Sequence, residues 1–281
     1  APSRPLSIGH AYRIRRYFQG STKVDNSGRI AENLHMGLAT RIIPTILCRG
    51  RQMVKGVKFN SWRTVGLAAQ AVRIHNTRGV DELMLLDIAA TKEGRGPDLN
   101  LIRELSDVCF MPLAVGGGIR SLDDAKAVLL AGADKVVIGQ AAWTTNVVRR
   151  IADAFGSQSV VVICDVVTKI ADVDDLKKSG TRCMREVAPA RARWISEQGA
   201  GEILLQSVDR DGTLAGYDLD LIEAVSKAVT VPVVASGGCG TYAHMRQAIN
   251  AGASAVAAGA MFQFCEATPQ GAAEYLPTHG I

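Results

Sequence analysis

The sequence predicts an α/β fold, a parallel (β/α)8 TIM barrel built from two repeated half-barrels. Eight short, near-continuous apolar runs alternate with helical segments, as strands buried on both faces of a parallel sheet require. The length of 281 residues suits one such barrel, which takes roughly 250. An offset of 120 residues relates Glu82 to Glu202, Asp98 to Asp218, Pro112 to Pro232, Gly117 to Gly237 and Gly132 to Gly252. Register kept over so many positions marks a duplicated unit of four strands, not convergent composition.

Residues 1–35 stand apart. Their first 20 carry four arginines and no acid, so a basic, disordered extension is expected, with an organellar transit peptide as the alternative. The barrel is expected over 36–281. Its strands are read as RIIPTIL (41–47), LMLLDI (83–88), PLAV (112–115), KVVI (135–138), VVVIC (160–164), EILLQS (202–207), PVVAS (232–236) and AVAA (255–258). Between the third and fourth, Ser121 caps a helix with Asp123 and Asp124 in its first turn and Gly132 as its stop. Thr241 and Gly252 do the same in the second half.

Apolar residues make up 47% of the chain, enough for a large core, and no run of 18 apolar residues points to a membrane span. The net charge of +5 fits an anionic small molecule, and no basic stripe interleaved with aromatics points to nucleic acid. Six cysteines are scattered with no C-x-x-C pair, so they are expected to be reduced packing residues of a cytoplasmic protein. No metal or cofactor is expected.

Each half carries glycines just after its third and fourth strands: Gly116, Gly117, Gly118 and Gly139, then Gly237, Gly238 and Gly259. Glycine lets backbone N–H groups approach an anion closely, and in many barrels the last two βα loops hold a phosphate. One cluster alone is as well read as a tight turn. The same pair in two symmetry-related places points to two phosphate sites across one barrel mouth, and so to a ligand phosphorylated at both ends. Asp209, Asp211 and Gly212 follow the sixth strand, either as a pair of carboxylates at the mouth or as a solvated Asp–Gly turn.

The segments RIIPTIL, VKGVKF, VDELMLLDI, VGGGIRS, GADKVVI, GAGEILLQSVDRDGT, GYDLDLI, VVASGG and YLPTHG resemble the cyclase subunit of imidazole glycerol phosphate synthase. The resemblance covers essentially all of 40–280. It implies a barrel that takes ammonia from a glutaminase subunit in a heterodimer and uses it to split and cyclise a bis-phosphorylated ribonucleotide. It further implies two catalytic aspartates, ending strands one and five. Asp165 matches the second, whereas Leu47 stands where the first belongs, and no acid occurs between Thr40 and Asn60. Cys48 is a poor substitute for a carboxylate.

Other departures thin the phosphate contacts. Gly139 and Gln140 stand where a short hydroxyl or amide side chain is usual, Ala260 replaces a serine, and the Thr–Gly pair usual after strand five is absent from ADVDDLKKSGTRCMRE. By contrast, the resemblance maps an ammonia-entry ring at the barrel bottom onto Arg41, Glu82, Lys135 and Glu202, with Asp134 at the glutaminase contact. The plain alternative is a structural salt-bridge layer. Three functions are therefore expected, in this order. The first is a divergent paralogue delivering ammonia to another acceptor, as in surface-sugar amidation; such paralogues carry an apolar residue at the first aspartate. The second is a working cyclase of histidine synthesis, and the third a sibling phosphoribosyl-sugar isomerase.

Overall fold

The computed structural model describes residues 40–168 and 182–281. The expected boundary at residue 36 and residues 171–181 of the stretch lacking the Thr–Gly pair lie outside them. In chain order the strands are β1 (Arg41–Arg49), β2 (Gln52–Val57), β3 (Asn60–Leu67), β4 (Leu83–Asp87), β5 (Leu113–Gly116), β6 (Lys135–Ile138), β7 (Val160–Val167), β8 (Arg182–Met184), β9 (Glu202–Ser207), β10 (Val233–Ser236) and β11 (Ala255–Ala258). The helices, numbered likewise, are α1 (Ala68–Thr77), α2 (Leu99–Val108), α3 (Leu122–Leu130), α4 (Ala141–Thr144), α5 (Val147–Phe155), α6 (Ala188–Glu197), α7 (Leu219–Ser226), α8 (Tyr242–Asn250), α9 (Met261–Phe264) and α10 (Pro269–Thr278).

Strands β1, β4, β5, β6, β7, β9, β10 and β11 pair in that order, all parallel, and β11 returns to β1 with Arg41 opposite Ala255 and Pro44 opposite Ala258. The sheet is a closed eight-stranded barrel. Alternation along each strand sorts side chains between two cores. Ile43, Met84, Ala114, Val137, Val161, Leu204, Val234, Ala255 and Ala257 fill the lumen. Ile42, Ile46, Leu83, Val160, Val162, Ile203 and their neighbours pack outward against the helices.

The repeat expected from the sequence is visible in local geometry. Asp98 accepts from the N–H of Leu101 at 3.0 Å to cap α2, and Asp218 accepts from Leu221 at 3.3 Å to cap α7. Ser121 caps α3 in a reciprocal box with Asp124, and Thr241 caps α8 through the N–H of His244. Gly132 and Gly252 end those helices at φ +111° and +106°.

Sequence reading missed the hairpin of β2 and β3. It extends β1 antiparallel, with Cys48 opposite Met53. Its register shifts twice, and Lys58, Phe59 and Ser61 all have positive φ. A bulged, largely exposed ribbon carries no clean two-residue period for a reader to find. The three-residue β8, parallel to β7, was missed as well.

Candidate active site at the barrel mouth

A cavity of about 560 Å³ opens at the C-terminal ends of the barrel strands. It is lined by Asp165, Gly117, Gly118, Gly139, Gln140, Asp211, Gly212, Gly237, Gly238, Gly259 and Ala260, whereas Gly116 and Asp209, which the sequence also singled out, are not part of its lining. Leu47 lines it too. Val161 and Ile163 pack into the lumen, so alternation along β7 turns Asp165 inward as well. On β1 the same rule brings Leu47 to the cavity and sends Cys48 outward into the helix-facing core. Burial, reinforced by the Asp87 carboxylate, pushes the Cys48 thiol up to about 12. Cys48 is therefore neither in the cavity nor readily ionised.

The glycines answer a steric demand whether or not an anion is bound. A Cβ on Gly117 would lie 2.5 Å from the carbonyl oxygen of Asp87, and one on Gly237 would lie 2.4 Å from that of Ser207. Both sit at positive φ. The two halves use one device: each third-strand loop packs against the backbone at the end of the preceding barrel strand. Gln140 and Ala260 occupy equivalent positions at the starts of α4 and α9, and neither side chain caps its helix.

Sequence reading missed a cation at the second glycine pair. Lys55, on β2, is buried, and its Nζ donates to the carbonyl of Thr45 at 3.3 Å. It lies so close to Gly259 that a Cβ there would be 2.0 Å from Nζ. Burial lowers its pKa from 10.5 to about 8, against the pull of Asp211. A charged amine held in such a place is stabilised by an anion. The available signal was the lysine interrupting the apolar pattern of QMVKGV. The Thr45 hydroxyl, also lining the cavity, is buried with no hydrogen-bond partner.

Asp209 and Asp211 are not a carboxylate pair. Asp209 accepts from the N–H of Thr168 at 2.6 Å, whereas Asp211 accepts from Gln206 Nε2 at 3.2 Å. Nor is the Asp211–Gly212 segment a solvated turn. The Asp211 carbonyl accepts from the N–H of Lys58 at 2.9 Å, and a Cβ on Gly212 would meet the Gly56 carbonyl at 2.4 Å. This loop holds the hairpin over the mouth. Burial raises the pKa of Asp211, offset by Lys55 and Gln206. Arg120 and Arg182 also line the cavity.

At the opposite end, four side chains close the lumen as a ring of ion pairs. Arg41 Nη1 lies 2.6 Å from Glu82 Oε2 and 3.0 Å from Glu202 Oε1. Lys135 Nζ lies 2.9 Å from Glu82 Oε2 and 2.8 Å from Glu202 Oε1. Glu82 is only 2% exposed in its side chain. Burial works against the charge of Arg41, but Glu202 and Glu82 outweigh it and raise its pKa. Both cations fall on one Glu82 oxygen, leaving the buried Oε1 without a hydrogen-bond partner. Asp134, beside Lys135, accepts from the N–H of Leu113 at 2.8 Å and so ties β6 to β5.

A family model described as Histidine biosynthesis protein matches residues 41–268. With a closed eight-stranded barrel over the same span, the chain belongs to the histidine biosynthesis protein family.

Proposed function

We propose that this barrel is the ammonia-accepting half of a glutaminase heterodimer and delivers ammonia to an acceptor other than the cyclase substrate, of the sugar-amidation type. One observation carries the reading: the four-membered ring at the bottom is complete while Leu47 occupies the first catalytic position at the mouth. Buried charges are costly unless fully paired, and apolar side chains could close a barrel bottom without that cost. The unpartnered Oε1 of Glu82 is an acceptor that ammonia, a donor, would satisfy. Beyond the ring the lumen is apolar, which suits the neutral molecule and opposes ammonium.

At the mouth the ligand would be a bis-phosphorylated ribonucleotide or a related phosphorylated compound. Lys55 would neutralise one phosphate beside Gly259, and the backbone of Gly117 and Gly118 would face the other. A second reading, the complete cyclase of histidine synthesis, is favoured by Asp165, Asp211 and Lys55 sharing one cavity. In either case the complex would work in the cytoplasm. Co-purification with the glutaminase encoded beside its gene tests the partnership, and failure to bind would return the ring to a structural role. Turnover of the bis-phosphorylated ribonucleotide with an ammonium salt separates the two readings. Full activity of the barrel as it stands would favour the cyclase.

A further inference from the structure

Behind Asp165, on the outer face of the barrel wall, two thiols face each other. Cys164 precedes Asp165 on β7 and packs outward, and Cys183 is the central residue of β8. Their sulfurs are 3.8 Å apart and both residues are buried. We propose that Cys164 and Cys183 form a redox-active dithiol, which a peroxide converts to a disulfide that ties the edge strand to the wall carrying Asp165.

The surroundings favour this chemistry over inert packing. The Arg191 guanidinium is fixed over the Trp143 ring at 3.9 Å and reaches the Arg182 carbonyl at 3.4 Å, which sets it beside the pair. Either sulfur can donate in the contact between them, and the Arg191 guanidinium favours a thiolate at the pair against its burial. With Arg191 beside both sulfurs, we take Cys183, on the edge strand, as the nucleophile and Cys164 as the resolving thiol. The Cys183 thiolate attacks one peroxide oxygen and becomes a sulfenic acid as the O–O bond breaks; the hydroxide released takes up the proton the thiol had given up and leaves as the first water. The Cys164 sulfur then attacks the sulfenic sulfur, its proton leaving with the hydroxyl as the second water. Two thiols lose two electrons and one peroxide gains them.

The cross-link has a geometric consequence. Val166 is the register partner of Cys183, so Cys164 lies on the diagonal. On a flat ladder that diagonal exceeds the roughly 4.4–6.8 Å between Cα atoms that a disulfide spans. Closing the bond therefore requires β8 to shift along β7. β8 is three residues long and pairs with β7 alone among the described residues. Arg182, which lines the mouth opposite Asp165 in register, stands next to Cys183 and would be carried by that shift.

The test is independent of the function proposed above. The whole protein is treated with hydrogen peroxide, alkylated under denaturing conditions and digested with trypsin. The expected product is peptide 151–169 joined to peptide 183–185, two hydrogens lighter than their sum and released by dithiothreitol. The same treatment of Cys183→Ser should leave Cys164 alkylatable. If both cysteines of the unmodified protein remain alkylatable after the exposed Cys265 has reacted, the pair is inert packing and the proposal fails. Oxidation of Cys183 to the sulfinic acid without the cross-linked peptide would overturn it equally.

Discussion

The two ends of this barrel treat charge in opposite ways. At the bottom, two cations and two carboxylates satisfy one another within 3.0 Å, and the ring is closed. At the mouth, Lys55 is buried with a carbonyl as its hydrogen-bond partner, the Thr45 hydroxyl has none, and Leu47 lines the cavity. The ring is held by its own ion pairs, although the buried Oε1 of Glu82 has no hydrogen-bond partner. The mouth holds polar groups whose cost of burial a phosphorylated ligand would relieve. The bottom pairs its charges internally, and the mouth leaves polar groups for a ligand to meet.

The largest expected effect concerns the mouth. Because one positioned acid or base supplies roughly 10²–10⁴-fold, Leu47→Asp should raise cyclase turnover with ammonium salt by about that factor. Asp165→Asn should abolish what the unmodified barrel retains. Steady-state rates on the bis-phosphorylated ribonucleotide check both. No gain from Leu47→Asp would show that a carboxylate at this position is not what limits cyclase chemistry at the mouth.

Breaking the bottom should cost stability instead. Lys135→Glu places a third carboxylate among groups that were paired, and removing one partner of a buried pair typically costs ~3–5 kcal/mol. Chemical denaturation should show a loss of that size, with phosphate binding at the distant mouth unchanged. A loss under ~1 kcal/mol would mean that water already screens the ring.

Much of this contrast was legible before any coordinates. Short apolar runs located all eight barrel strands because both faces of each are buried, and the 120-residue repeat fixed their order. The ring residues were legible by resemblance alone, since Glu82 and Glu202 sit at strand starts where periodicity says nothing. What escaped was the hairpin and, with it, Lys55. Bulges and positive φ at Lys58, Phe59 and Ser61 erase the alternation that betrays a strand. The lysine that interrupts QMVKGV was the one signal, and without the hairpin it could not be placed at the mouth. Asp209 and Asp211 were a second blind spot: two residues apart in sequence, they take different partners once Asp211 packs against the hairpin.

Lys55 sharpens the comparison through pH. Its pKa is lowered from 10.5 to about 8, so the folded protein carries a buried charge below pH 8 and sheds it earlier than the unfolded chain does. The unfolded chain binds more protons between about 8 and 10.5, so this group makes stability rise with pH across that window. Anion affinity should run the other way. Calorimetric titration with inorganic phosphate should show binding that weakens as pH rises through about 8, and Lys55→Met should bind weakly at every pH. Unchanged binding in that variant would remove Lys55 from the phosphate site.

A smaller effect compares the two halves. Gly117→Ala and Gly237→Ala should each destabilise by ~1–3 kcal/mol, because each Cβ meets a backbone carbonyl and each position has positive φ. Similar losses in urea denaturation would support one shared device. A loss at one position only would break the symmetry.

The most direct test of ammonia delivery is the rate of glutamine hydrolysis by the glutaminase encoded beside this gene. It would be measured alone, with the unmodified barrel, and with Lys135→Glu after confirming that this variant is folded. The barrel should raise the rate by at least tenfold, and Lys135→Glu should lose most of that gain. Hydrolysis indifferent to the barrel, or equally stimulated by the broken ring, would contradict the account and leave Arg41, Glu82, Lys135 and Glu202 as a salt-bridge floor.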